Sequence, residues 1–234
     1  MKTTSNDKET LIVFAKAPLP GDVKTRLIPF LSPQEACELY QCFVKDIIRS
    51  MRQVKEAFLQ VAYQPHAKAP DPSWVSPGLV HFRQEGQSLG ERLFRAFSAA
   101  FQDHAKRVVI IGSDSPTLPP GSVRQAFRAL RDCDVVLGPA PDGGYYLVGM
   151  SRLCPGLFDQ VVWSGEEVFE KTLANVRAGG YSLKTLPPHP DIDTPEDLEA
   201  VWRFRDAHRL EETAPLTHRY LNRLLTRRRP ALSA

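Results

Sequence analysis

Apolar runs of strand length alternate with longer stretches of helical periodicity along most of this 234-residue chain, and that alternation leaves few folds open. The first strand is read at Leu11–Ala15 and the strongest at Arg107–Gly112, RVVIIG; others are read at Ala57–Tyr63, Leu79–Arg83, Asp134–Gly138, Gly144–Met150 and Tyr181–Leu186. Helices are read between them. Ser32, Pro33 and Glu35 give a capping-box start with proline at the first helical position, and Leu39, Cys42, Phe43 and Ile47 follow at helical spacing. Ser88–Phe101 and Pro120–Arg131 read as two more helices. Ser164 and Glu167 repeat the capping-box pattern before a further one, and Thr194 with Pro195 opens another that runs on to about His208. Strands that alternate with helices build a mostly parallel sheet covered on both faces, a three-layer α/β/α architecture. DVVLGPAPDGGYYLVGM breaks the rhythm, because Asp142-Gly143-Gly144 joins two strands by a turn too short for a crossover. A mixed sheet with one antiparallel element is therefore expected.

The length suits one α/β domain, with a core from about residue 11 to 208 and a basic helical tail over 209–234 that carries Arg219, Arg223, Arg227, Arg228 and Arg229. A net charge of +3 gives no reason to expect nucleic acid, and the tail reads as a solvated or oligomer-facing helix; oligomeric state is left open. The N-terminus MKTTSNDKET lacks the apolar centre of a signal peptide, and no apolar run approaches the ~20 residues of a membrane helix. Four cysteines without a C-x-x-C pair read as free thiols, and a cytoplasmic setting is expected.

Ligands of an open α/β sheet sit beyond the carboxyl ends of its strands, and that rule sorts the polar residues. After the first strand comes a loop with Lys16, Lys24 and Arg26 among Pro18, Pro20 and Gly21. It has neither the glycines of a dinucleotide fingerprint nor a glycine before the lysine as in a Walker loop. Its prolines stiffen it, so its cations rather than its backbone would meet a polyphosphate; the alternative is a solvated turn. GSDSPTL places Asp114 after the most confident strand, where it would serve a site or a turn. DIDTPEDL places Asp191 and Asp193 before a helix whose cap accounts for much of the motif but not for Asp193. Cations and carboxylates converging on one crevice suggest phosphate, divalent metal and carboxylate together, since clustered carboxylates need a cation between them. Trp163 is a stacking surface or a core aromatic, and the histidines show no metal spacing.

FAKAPLPGDVKTRL, QSLGERL, GSDSPTL, PDGGYYLVG and DIDTPEDL follow one another in this order. Together they resemble a family of small bacterial nucleotide-diphospho-sugar transferases, one branch of which is associated with arsenosugar biosynthesis. The resemblance runs from about Leu11 to about Trp202 and implies the GT-A fold shared by glycosyltransferases and nucleotidyltransferases. It implies that Lys16, Lys24 and Arg26 hold nucleotide phosphates, and that Gln84, Gln87 and Gly90 form the base-reading segment. It further implies that Asp114 and Asp193 bind Mg²⁺ or Mn²⁺, and that Asp142, Gly143 and Gly144 border the sugar or acceptor. Asp114, Asp142 and Lys24 would then carry the chemistry. Metal-dependent glycosyltransferases of this fold usually show Asp-x-Asp, whereas Asp114 precedes Ser115 and Pro116, which is closer to the single aspartate of nucleotidyltransferases. The first loop, in turn, lacks the glycine-rich signature of nucleotidyltransferases. The reading places first a metal-dependent glycosyl transfer from a nucleotide-diphospho-sugar to a small acceptor, with Asp142 or Asp193 as general base. The alternatives are nucleotidyl transfer from an NTP to a phosphorylated substrate, and nucleotide binding without turnover.

Overall fold

A computed structural model of the chain describes residues 8–228 apart from 29, 70, 71, 76, 164, 207 and 208. Seven strands form one sheet in the order β3-β2-β1-β4-β6-β5-β7. They are β1 (Glu9–Lys16), β2 (Ala57–Gln64), β3 (Val80–Arg83), β4 (Arg107–Ile111), β5 (Val135–Pro139), β6 (Tyr145–Met150) and β7 (Leu183–Thr185). β1 pairs parallel with β2 and β4, β2 with β3, and β5 with β7; β6 is antiparallel to both β4 and β5. The antiparallel element expected from the Asp-Gly-Gly turn is thus present, but β6 lies between β4 and β5, so one hairpin supplies the join between the two parallel sections.

The helices are α1 (Pro33–Met51), α2 (Leu89–Gln102), α3 (Pro120–Ala129), α4 (Val168–Ala178), α5 (Pro195–Arg203), α6 (Leu210–Thr213) and α7 (Pro215–Arg228). Alternation along β1 sends Leu11, Val13 and Ala15 into a core with α1 and α3, and Ile12 and Phe14 into a second core with α2. A third core lies on the outer side of α1, where Ala36, Leu39 and Phe43 meet Leu198, Leu210, Leu221 and Leu224. Helix α1 is therefore buried on two sides, against the sheet and against the tail.

Two element boundaries differ from expectation. Helix α4 starts at Val168, with Glu167 at the cap and no side-chain cap bond. The expected cap Ser164 lies outside the described residues. The competing interaction is tertiary: Phe169 N–H, in the first turn of α4, donates to the Gly143 carbonyl of the β5–β6 turn at 2.9 Å. Helix α5 ends at Arg203 rather than running toward His208, because Phe204 leaves helical geometry and the chain turns back into α6 and α7. Among the described residues no helix is long and apolar enough to cross a membrane.

Candidate functional site

The sheet order reverses between β1 and β4: the chain leaves β1 outward to β2 and β3, then returns to the other side of β1. Side chains beyond the carboxyl ends of those two strands flank a crevice at that switch point. β6 runs the other way, so its preceding turn, with Asp142, lies at the same end. The segment after β7 crosses back over this end of the sheet, held by His189 N–H on the Pro139 carbonyl and Ile192 N–H on the Asp114 carbonyl. Residues from four distant parts of the sequence thereby meet.

The crevice has two contiguous halves. A cationic half of about 480 Å³ is lined by Lys16, Lys24, Arg26 and Arg92, with Asp22, Gln64, Gln84 and Tyr40. An acidic half of about 300 Å³ is lined by Asp142 and Asp191, with Leu93, Tyr145 and Val168. Asp114, Asp193, Phe14, Leu89 and Trp163 line both.

At the junction sits Lys24. Its ammonium is buried and contacts Asp114 Oδ1 at 2.5 Å, Asp193 Oδ1 at 2.7 Å and the Ile192 carbonyl at 2.8 Å, over the face of Phe43. Burial pulls its pKa down, but Asp114 and Asp193 together outweigh burial and hold it above the ordinary lysine value. The Lys24 backbone has φ 50, a left-handed conformation uncommon for a side-chain-bearing residue, which turns the side chain under the loop. Lys24 was expected among the phosphate-holding cations. The structure places its three N–H bonds on protein acceptors instead, so it joins the two carboxylates. Lys16 and Arg26 line the cationic half with no carboxylate partner among the described residues.

Asp142, Asp191 and Asp193 offer carboxylate oxygens that all lie within 4.8 Å of one another. Burial, then Asp142, Asp193 and Asp114 nearby, push the Asp191 carboxyl up to about 7. Hard oxygen donors crowded to that degree fit a Mg²⁺ or Mn²⁺ ion, which would relieve their repulsion. Asp193 belongs to this carboxylate set, whereas Asp114 is tied to it through Lys24.

The remaining expected residues divide. Gln84 lines the cationic half, with its amide N–H₂ donating to the Ala62 carbonyl at 2.8 Å and the Ala15 carbonyl at 3.2 Å. Gln87 is exposed outside the crevice lining, in the turn that leads into α2. Gly90 is buried; a Cβ there would lie 3.1 Å from Phe158 and from the Trp163 ring, so its bareness lets α2 seat Trp163. Gly143 has φ 87, and a Cβ would lie 2.0 Å from the Glu166 carbonyl oxygen. It packs the turn against the entry to α4, while Gly144 lines the acidic half and donates to Asp142 Oδ1 at 2.9 Å.

Three residues were not singled out from sequence as site residues. Arg92 lies near the start of α2, where the helix dipole disfavours a cation; that oddity was a legible signal. Asp191 was legible only as a neighbour of Asp193. Tyr40, from the middle of α1, accepts from Lys16 N–H at 2.8 Å and shares a 3.0 Å hydrogen bond with Ser113 Oγ. It pins the cationic loop to the Asp114 loop, and nothing local in its heptad-like surroundings announces that.

The family model described as "Uncharacterized protein conserved in bacteria (DUF2064)" matches residues 47–165. The chain belongs to this family. A crystal structure from Desulfovibrio desulfuricans G20, named "putative nucleotide-diphospho-sugar transferase", is 34% identical, with 95% of this chain and 98% of that one covered at a TM-score of 0.86. A 2-phospho-L-lactate guanylyltransferase of Methanocaldococcus infernus is 23% identical over 208 residues, 87% of each chain. A CMP:2-keto-3-deoxy-manno-octonic acid synthetase solved with CTP shares the fold at 15% identity and a TM-score of 0.55, covering 86% of this chain and 99% of that one. The family's α/β architecture is thus the one the motifs implied: the mixed sheet of nucleotide-diphospho-sugar transferases.

Proposed function

We propose that the chain is a nucleotide-dependent transferase and that the group it moves is a nucleotidyl group from an NTP. The observation that carries this is the division of the crevice. Among the described residues Lys16, Arg26 and Arg92 line one half without a carboxylate ion-pair partner, while Asp142 and Asp191 line only the other half, and Asp114 and Asp193 at the junction hold their own counter-ion, Lys24. Cations placed this way would grip the β- and γ-phosphates and stabilise them as leaving pyrophosphate. An acceptor oxygen from the acidic half would attack the α-phosphorus, and a hydroxyl proton would pass to a carboxylate of that half such as Asp142. The bond from that phosphorus to the bridging oxygen breaks, and its electron pair departs with pyrophosphate. Asp142, Asp191 and Asp193 would hold Mg²⁺ or Mn²⁺, which supplies charge neutralisation at the phosphates. Tyr40 and Lys24 would fix the two loops so that donor and acceptor are held in line. The guanylyltransferase relative and the single strand-end carboxylate, Asp114 before buried Ser115, support this reading over sugar transfer.

Glycosyl transfer from a nucleotide-diphospho-sugar is the second reading. It is favoured by the name of the Desulfovibrio relative, and by carboxylates that could accept from sugar hydroxyls. The test is incubation with Mg²⁺ or Mn²⁺, each of the common NTPs or NDP-sugars, and an acceptor panel. Pyrophosphate release supports nucleotidyl transfer; NDP release without pyrophosphate replaces it with glycosyl transfer. Absence of nucleotide binding by calorimetry removes both.

A further inference from the structure

The acidic half of the crevice has a property that bears on what it can accept. Among the described residues its lining holds Asp142, Asp191, Asp114 and Asp193 but no lysine, arginine or histidine, and the Lys24 ammonium at the junction is spent on two of those carboxylates and a carbonyl. One divalent ion on the Asp142–Asp191–Asp193 set would still leave this half negative. A phosphate or carboxylate brought here would meet like charge in a desolvated setting, which opposes its binding. The remaining walls are apolar and aromatic. Tyr145 and Trp163 stand edge to face at 6.2 Å. Such rings suit the C–H face of a small saturated ring or a cation, not an anion. About 300 Å³ lies at the low end of ligand cavities, enough for a single ring system.

We infer that the acceptor half takes an uncharged or cationic compound of about monosaccharide size, rich in hydroxyl or amino donors, and rejects phosphorylated or carboxylated ones. Hydroxyls and ammonium groups donate, and the carboxylates accept; the rings cover the apolar face. This replaces the phosphorylated acceptor that the motif resemblance suggests for nucleotidyl transfer. It rests on the proposed function only in that the cationic half is taken to hold the nucleotide.

The test is a titration of the full chain in two stages. Saturation with Mg²⁺ and the α,β-methylene analogue of an NTP comes first, and failure to bind at this stage strikes the proposed function itself. Glucosamine, glucose, glucose 6-phosphate and gluconate are then titrated by calorimetry into the loaded protein. Glucosamine or glucose binding at least ~10-fold more tightly than both anions is the expected result. An anion binding as tightly or more tightly overturns the inference, and so does a loaded protein that binds none of the four. Asp142→Asn, confirmed folded by an unchanged circular dichroism spectrum, should shrink the preference several-fold. A preference unchanged by that substitution would mean that the carboxylates do not set it.

Discussion

Lys24 is where single-residue physics is most exposed. Its ammonium satisfies two carboxylates that are themselves partly solvated, with Asp114 at 45% and Asp193 at 31% side-chain exposure. Removing one member of a buried pair usually costs about 3–5 kcal/mol, and the exposure of the partners lowers that here to about 2–3 kcal/mol. Lys24→Met should therefore destabilise the chain by that amount in urea unfolding, and Mg²⁺ should restore part of the loss; an unchanged midpoint would contradict the buried bridge. The raised Lys24 pKa means its contribution is present throughout the neutral range and lost only as pH rises above the ordinary lysine value. Asp191 acts in the same direction but in a lower pH window. Its folded-state pKa of about 7 stands above the ~3.9 of an unfolded aspartate, so the folded chain holds an extra proton between those values. Its stability contribution is full below about pH 4 and fades as pH rises through about 7. In EDTA the Tm should fall between about pH 6 and pH 8, and Asp191→Asn should flatten that slope. A slope equal in both proteins would place the titration elsewhere. The roles of Lys24 and Asp191 were not legible along the sequence, because charge pairing depends on distance in space. Lys24 lies 169 residues from Asp193.

At the scale of elements, the sequence was most readable where short-range chemistry decides. The α1 capping box is present in both directions, with Ser32 accepting from Glu35 N–H and Glu35 accepting from Ser32 N–H, and Thr194 with Asp197 repeats it at α5. The entry to α4 differs from the capping-box reading because an amide of its first turn, that of Phe169, answers to the β5–β6 turn. That turn gives the element-scale prediction. Gly143→Ala adds a methyl where φ is 87 and where the Glu166 carbonyl oxygen is 2.0 Å away. Neither strain nor clash can be relieved without moving the turn or the α4 entry. A loss of about 2–4 kcal/mol is expected, with weaker Mg²⁺ binding because Asp142 moves with the turn. Thermal denaturation with and without Mg²⁺ measures both; a variant with unchanged stability and an unchanged response to Mg²⁺ would contradict the close packing of the turn on α4.

For the molecule as a whole, the basic tail turns out to be a structural layer. Helices α6 and α7 cover the outer side of α1, and Asp46, fully buried on α1, accepts from Leu216 N–H at 3.1 Å and Thr217 N–H at 2.7 Å at the start of α7. Asp46→Ala leaves those amides without an acceptor and should cost about 2–3 kcal/mol. Amide exchange should show α7 opening first; exchange that rises uniformly would mean that the tail and core form one cooperative unit. Leu27 and Leu31, just after the cationic loop, belong to the same core, so the tail also backs the cationic side of the crevice. What the sequence by itself determined was the kind of layer each segment could enter, because apolar period, caps and turn residues act over a few neighbours. It also placed the chemical groups at strand ends, where a parallel sheet must present them. Only the tertiary structure decided that β6 enters between β4 and β5, that Lys24 faces two aspartates, and that Gly90 and Gly143 make room for packing. Those outcomes depend on which surfaces meet once the sheet is assembled, and a charge or a missing Cβ has no way to signal its distant neighbour along the chain.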